Sequence, residues 1–332
     1  MKVAILGAAH QHVDYALSEV AHRDDLELVA VCEPDPLARR RFLNDVSAPH
    51  YNTPQELLEV HDVDVALVAG IYSERAAATV AALRAGAHVL ADKPLCTDLE
   101  QLEEIRTAAR DSGHHVSIVF EKRHYPATLA LQQLLDDGML GTIAMIASTG
   151  PHKLSQPTRP SWFLNRATYG GIAGDLPIHD IDLVLNLVGA QQGQPVHGSI
   201  AAHVGNSRPD DHPRFDDHVA LLMRAGHVPA TIEANWLGPE AADVHGHYRM
   251  RVTGSEGTAE VDWAYGRLNV TTHGRGTWEV PLGPPQRPAQ YFFDAVLAGE
   301  QPEISTTASL LATEIALKAQ LSGEQHGSPQ QF

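Results

Sequence analysis

The residues with most chemistry to offer lie in two short stretches. The first is Asp92-Lys93-Pro94, directly after an apolar run at 88–91. A lysine at the end of a strand can neutralise a developing alkoxide or polarise a carbonyl. The proline stiffens the turn and permits a cis Lys93–Pro94 bond. By itself the triplet reads equally well as a plain strand-ending turn. The second stretch holds Asp175, His179, Asp182 and Asn186, at offsets of +4, +7 and +11 from the first. In a helix these four share a narrow arc of one face. Most other positions of the helix expected at 175–188 are apolar. It therefore reads as a buried helix with one thin polar stripe that needs partners or a ligand. His179, one turn from Asp175, has the form of a general base with its orienting carboxylate. Two other readings stay open: a satisfied buried polar network, and a metal pair completed by His152 or a histidine of the sheet, because Asp and His at this spacing can ligate zinc. Gly170, Gly171 and Gly174 precede the helix and permit close backbone approach.

A third stretch has the form of a cofactor turn. An apolar run at 3–6 leads into Gly7-Ala8-Ala9-His10-Gln11-His12 and then a helical pattern. Strand, tight turn and helix start are what a pyrophosphate needs, since backbone N–H groups and the helix dipole then face the anion. Gly7 supplies the turn; Ala9 and His12 stand where the second and third glycines of a dinucleotide fingerprint usually are. Glu33 ends the second apolar run, 26 residues past Gly7, where a carboxylate accepts hydrogen bonds from ribose hydroxyls and repels a 2′-phosphate. NAD is expected on this ground, with NADP left open by Arg39, Arg40 and Arg41, which otherwise read as a solvated helix face.

These residues need a scaffold, and the chain supplies it in two styles. Strands are expected at 3–6, 28–32, 65–69, 88–91 and 116–120, with helical patterns between them, which predicts βαβ units and a parallel sheet. Thr53-Pro54-Gln55-Glu56 and Thr97-Asp98-Leu99-Glu100 are capping boxes, and Gly86 and Gly113 suit helix C-termini. After residue 121 the pattern changes. A helix at 127–136, a strand at 142–149, the helix at 175–188 and alternating strands over 199–280 predict an α+β unit with an antiparallel sheet. Helices at 290–298 and 307–321 follow, and the tail beyond Gly323 is expected to fray. The expected fold is an α/β doubly wound domain, 1–121, plus an α+β domain, 122–332, with a large, mostly antiparallel sheet.

Composition narrows the partners. With 24 Lys+Arg against 41 Asp+Glu and a net charge of −17, nucleic acid and anionic lipid surfaces are disfavoured. No apolar run reaches the length of a membrane span. Cys32 and Cys96 lack metal or redox spacing, so they read as buried free thiols in a reducing, cytoplasmic compartment. The 20 histidines are scattered singly and read as compositional bias.

Two segments together resemble a known family. Ala85-Gly86-Ala87-His88-Val89-Leu90-Ala91-Asp92-Lys93-Pro94-Leu95 and, about 80 residues on, Gly170-Gly171-Ile172-Ala173-Gly174-Asp175-Leu176-Pro177-Ile178-His179-Asp180-Ile181-Asp182 are similar to the Gfo/Idh/MocA oxidoreductases, which include glucose–fructose oxidoreductase and inositol dehydrogenase. The resemblance extends over nearly the whole chain. It implies that Lys93 hydrogen-bonds the reacting oxygen, that His179 is the general base, and that Asp175 binds or orients substrate. It implies a nicotinamide cofactor contacted by Gly7, Ala9, His10, Gln11, His12, Glu33, Gly70, Tyr72, Asp92, Lys93 and Glu121, with no metal in the site. It implies sugar, polyol or cyclitol substrates and a homo-oligomer, dimer or tetramer. The chain departs from the family pattern at Asp92, which replaces a glutamate, at Tyr72 and Arg75, where Asn and His are frequent, and at Glu121, where Asn or a small residue is usual. Two other activities share the framework: redox-neutral glycoside cleavage with retained NAD, and cofactor-sensing binding without turnover.

Overall fold

The computed structural model describes residues 1–192 and 196–332. The chain groups into two compact units: 1–120 with 167–170 and 287–313, and 121–166 with 171–286 and 314–332.

In the first unit, six strands form a sheet: β1 (Lys2–Ala8), β2 (Glu27–Cys32), β3 (His50–Tyr51), β4 (Val65–Ala69), β5 (His88–Ala91) and β6 (Val116–Ile118). Their order is β3-β2-β1-β4-β5-β6, and every pairing is parallel. The order reverses at β1, so the ends of β1 and β4 diverge there and leave the crevice in which such sheets bind ligands. Strand β4 is apolar and buried at every position, as a sheet covered on both faces requires. Between the strands run α1 (Val13–His22), α2 (Pro36–Phe42), α3 (Pro54–Val60), α4 (Arg75–Arg84) and α5 (Leu99–Ser112). Thr53 caps α3 as expected, accepting from the Glu56 N–H. The second cap falls one residue later than the sequence suggests: Asp98, not Thr97, caps α5 by accepting from Gln101. Strand β6 stops at Ile118, two residues short of expectation, and the chain tightens into a 3-10 turn over Glu121–His124.

The second unit opens with α6 (Pro126–Asp136) and β7 (Ile143–Pro151); after the short turn α7 (Arg166–Tyr169), which groups mostly with the first unit, α8 (Ile172–Asp175) leads to the long helix α9 (Ile178–Gln192). Strands β8 (Gly198–Gly205), β9 (His218–Ala225), β10 (Val228–Asn235), β11 (Arg249–Gly254), β12 (Gly257–Asp262), β13 (Arg267–Thr272) and β14 (Arg275–Glu279) follow. After them come α10 (Gln290–Ala298) and the start of α11 (Thr306–Glu324), which group with the first unit, and then the rest of α11 and β15 (Gln330–Gln331), which return to the second. The nine-stranded sheet runs β14-β13-β12-β11-β7-β10-β9-β8-β15, antiparallel throughout except β7 with β10. Its strands alternate buried and exposed residues, with α6 and α9 packed on the covered face.

Two expectations need correction. The helix does not run unbroken from Asp175, because Pro177 lacks an N–H and crowds the preceding turn; α8 ends at Asp175 and α9 begins at Ile178. The tail does not fray: Gln330 and Gln331 pair with Ile200 and Ser199 of β8. Both cysteines are buried and free.

Candidate active site

In the first unit the β1–α1 turn has the geometry of an anion cradle. Gly7 has a φ of +86°, and a Cβ there would lie 2.5 Å from the Gly70 Cα, so only glycine fits. The Ala9 N–H donates to the Ala69 carbonyl at 2.9 Å, which locks the turn to the end of β4. Ala9 and His12 stand in ordinary negative-φ backbone, and this is why the fingerprint tolerates side chains there. Helix α1 has no side-chain cap, because the N-cap residue His12 turns its ring to Asp92 instead. An uncapped helix start beside a glycine–glycine contact suits a dinucleotide pyrophosphate. Glu33, buried at the end of β2, accepts from the Ala8 N–H at 2.5 Å and the Asp35 N–H at 2.9 Å. Burial raises its pKa, partly offset by these donors. Its carboxylate braces the turn and, with two lone pairs per oxygen, retains capacity for a ribose hydroxyl.

Asp92 is the hub that holds this region. Its carboxylate takes His10 Nδ1 at 2.9 Å, His12 Nδ1 at 2.7 Å and Arg75 NH2 at 2.7 Å, and it is 1% exposed. Burial alone would raise its pKa, but Arg75 and the two imidazoles outweigh that and hold it well below the usual carboxylate range. An ionised carboxylate only accepts, so both histidines carry their proton on Nδ1. His10 is pushed down to about 4, chiefly by burial, and is neutral near pH 7. The Arg75 guanidinium also donates to the carbonyls of Gly70, Lys93 and Pro94 and lies 4.3 Å from the Tyr72 ring centre. One fully buried arginine thus ties the end of β4 to the turn that carries Lys93. The Lys93–Pro94 bond is cis, and Lys93 is 5% exposed. Tyr72 is fully buried and stacks on Tyr169, which places it behind the turn as support. Gln11 is exposed at the mouth of the turn.

In the second unit the turn Glu121–His124 is fastened to α9 charge by charge. Lys122 Nζ donates to both oxygens of Asp180 at 3.1 Å, and Arg123 grips Asp182 with two bonds of 2.7 and 2.6 Å. Glu121 Oε1 lies 3.5 Å from His179 Nε2. Asp175 and His179 are 1% and 5% exposed. Within the predicted polar stripe, Asp182 is bound by Arg123 and Asn186 by Gln132. Asp180, Lys122 and Arg123 were not singled out from sequence as structural partners. The signal was present in the Glu-Lys-Arg run, which is too charged for a buried turn unless each charge has a partner.

Among the described residues, the one group of His, Cys, Asp or Glu with ligand atoms within 4.8 Å of one another is His10, His12 and Asp92. There the Arg75 guanidinium already neutralises the carboxylate. His152 is not in that group; its Nδ1 bonds the Gly150 carbonyl, and its ring packs against Tyr248.

Comparison with known proteins decides the family. Residues 1–120 match the oxidoreductase family with an NAD-binding Rossmann fold, and residues 128–260 match the GFO/IDH/MocA C-terminal domain. The chain belongs to the Gfo/Idh/MocA family. As a member it is an NAD-binding oxidoreductase. A D-glucoside 3-dehydrogenase of Escherichia coli is 31% identical over 208 residues, covering 61% of this chain and 57% of the relative. A levoglucosan dehydrogenase of Pseudarthrobacter phenanthrenivorans is 25% identical over 294 residues, covering 77% and 75%. A levoglucosan dehydrogenase solved with NADH and levoglucosan superposes with a TM-score of 0.84 at 20% identity over 100% and 99% of the two chains. An oxidoreductase structure from Thermotoga maritima reaches 0.90 at 24% identity over all of both chains. At these identities the solved structures speak for the fold alone.

Proposed function

We propose that the protein is a dehydrogenase acting on a hydroxyl carbon of a sugar-like, polyol or cyclitol substrate. In this reading residues 1–121 carry the cofactor and 122–332 the substrate. The observation that carries it is Lys93. It is a lysine buried at the end of β5, in a turn that Arg75 and Asp92 fasten beside the dinucleotide turn. The nicotinamide, when bound, supplies the hydride acceptor or donor. The other steps fall to the chain. Gly7, Ala9, His10, Gln11 and His12 hold the cofactor at the start of α1, with Gly70, Tyr72 and Asp92 shaping the turn from behind. Glu33 favours NAD by repelling a 2′-phosphate. Arg39 of α2 lies 3.2 Å from His50 of β3, which supports the same preference over NADP. The Lys93 ammonium donates to the reacting oxygen and stabilises its negative charge. His179 takes the hydroxyl proton and Asp175 orients the substrate beside it. Directional partners of this kind suit neighbouring hydroxyls.

The names of the relatives, a glucoside and a levoglucosan dehydrogenase, support the substrate class. The two buried thiols support a reducing, cytoplasmic setting, and the open face of the nine-stranded sheet supports a homodimer or tetramer. The test is absorbance of reduced nicotinamide during incubation with NAD+ or NADP+ and a panel of sugars, polyols and cyclitols. Reduced NAD should form with one substrate class. Lys93→Ala should lose turnover by at least about a hundredfold while keeping cofactor affinity. No net reduction, with cofactor retained and a glycoside cleaved, would replace this reading with redox-neutral chemistry.

A further inference from the structure

The 121–124 turn and α9 present an unequal set of charges. Lys122 cancels Asp180 and Arg123 cancels Asp182, each across short bonds. In both acids each oxygen has a partner; Asp180 also accepts from the Ser148 hydroxyl at 2.8 Å. His124 is neutral near pH 7, pushed down to about 4 by burial and then by Arg123. The Tyr248 hydroxyl is also neutral, pushed up by burial and then by the charge of Glu121. Asp175 precedes His179 by one turn. What remains is Glu121, 7% exposed, with Oε1 3.5 Å from His179 Nε2. Its other oxygen, Oε2, is buried without a hydrogen-bond partner among the described residues. A carboxylate present only to hold the turn would be bonded at both oxygens, as Asp180 and Asp182 are. Half-satisfied and buried, it costs stability that nothing in the turn offsets.

We propose that Glu121 is the counter-charge of His179: a positioning residue that stabilises the imidazolium formed when His179 takes the substrate's hydroxyl proton. This rests on the assignment of His179 as the base. The substrate O–H bond breaks, an N–H bond forms on the imidazole, and Glu121 stays ionised throughout. In the reverse direction the same proton returns to the substrate oxygen. An opposite charge at this distance favours the protonated ring.

The test uses the full chain with Glu121→Gln and Glu121→Asp. Histidine-labelled protein is titrated by NMR, with the His179 signal assigned by its loss in His179→Gln. In Glu121→Gln the His179 titration should move down by about one unit, and Glu121→Asp should restore much of it. The acid limb of kcat/KM should follow the titration. kcat should fall about tenfold with KM changed far less, while the melting temperature holds. An unmoved His179 titration in folded Glu121→Gln would overturn the proposal, as would a loss of melting temperature with an unmoved pH profile. Should Glu121→Gln not fold, Glu121→Asp decides alone: retention of the wild-type titration and pH profile supports the charge, and loss of both overturns it. If His179 shifts as expected but no alcohol is oxidised, the pairing stands and the dehydrogenase reading fails.

Discussion

A single carboxylate, Asp92, binds three neighbours, and its loss should show accordingly. Asp92→Asn leaves the fully buried Arg75 without its counter-ion, which costs about 3–5 kcal/mol in a urea titration. Gly7→Ala should fold but lose cofactor retention, because both φ and the Gly70 contact exclude a Cβ. The imidazoles give a pH signature. His10 and His88 both fall from 6.5 to about 4, chiefly through burial. Between those values the unfolded chain binds protons that the folded chain refuses, so stability is full above pH 6.5 and declines as pH falls toward 4. Asp92, depressed in the fold, adds its own loss only below about pH 4. The melting temperature should therefore drop between pH 7 and 4.5, and His88→Gln should flatten part of that drop. At this scale the sequence named Gly7, Lys93 and His179 but not the use of Arg75. An arginine on an alanine-rich helix looks solvated until the carbonyls of Gly70, Lys93 and Pro94 are seen to converge on it.

Among the elements, the parallel sheet has an exposed-edge problem at β6, and α11 solves it. The Val116 and Ile118 N–H groups donate to the hydroxyls of Thr306 and Ser309, at 3.0 and 3.1 Å. These bonds join positions about 190 residues apart and belong to the first unit. Ser309→Ala leaves the buried Ile118 N–H unpaired, and a loss of about 1–3 kcal/mol in urea denaturation is expected. Cofactor affinity should be unchanged, since the proposed cofactor turn follows β1, which two strands separate from β6 in the order. Strands, caps and helices were legible here because they rest on local periodicity and turn chemistry. The break at Pro177 was legible too, in principle, from the residue itself. The docking of α11 hydroxyls on a strand edge was not, because nothing local marks a serine as a strand's partner.

For the whole molecule, the alternation of the nine-stranded sheet gives it one buried and one more exposed face. Met145 and Leu222 on it are 46% and 57% exposed. With a net charge of −17 opposing association, an oligomer must hold by buried apolar area. Sedimentation should show a dimer or tetramer, and Leu222→Glu should shift it toward monomer. A wild-type monomer at micromolar concentration would remove that expectation.

The sequence alone determined the two fold classes, the glycine turn, the lysine turn and the buried histidine helix, since each follows from spacing, periodicity or backbone restriction within a few tens of residues. Only the tertiary structure decided which charges the fold pairs with one another. Asp182 and Asn186 share a helix face with His179, yet Arg123 and Gln132 claim them from another element. Glu121 reads in sequence as a departure from a pattern; its place opposite His179 exists only because Lys122 and Arg123 lock the turn to α9. Pairing across long loops is set by packing and electrostatics together, and no local pattern encodes it.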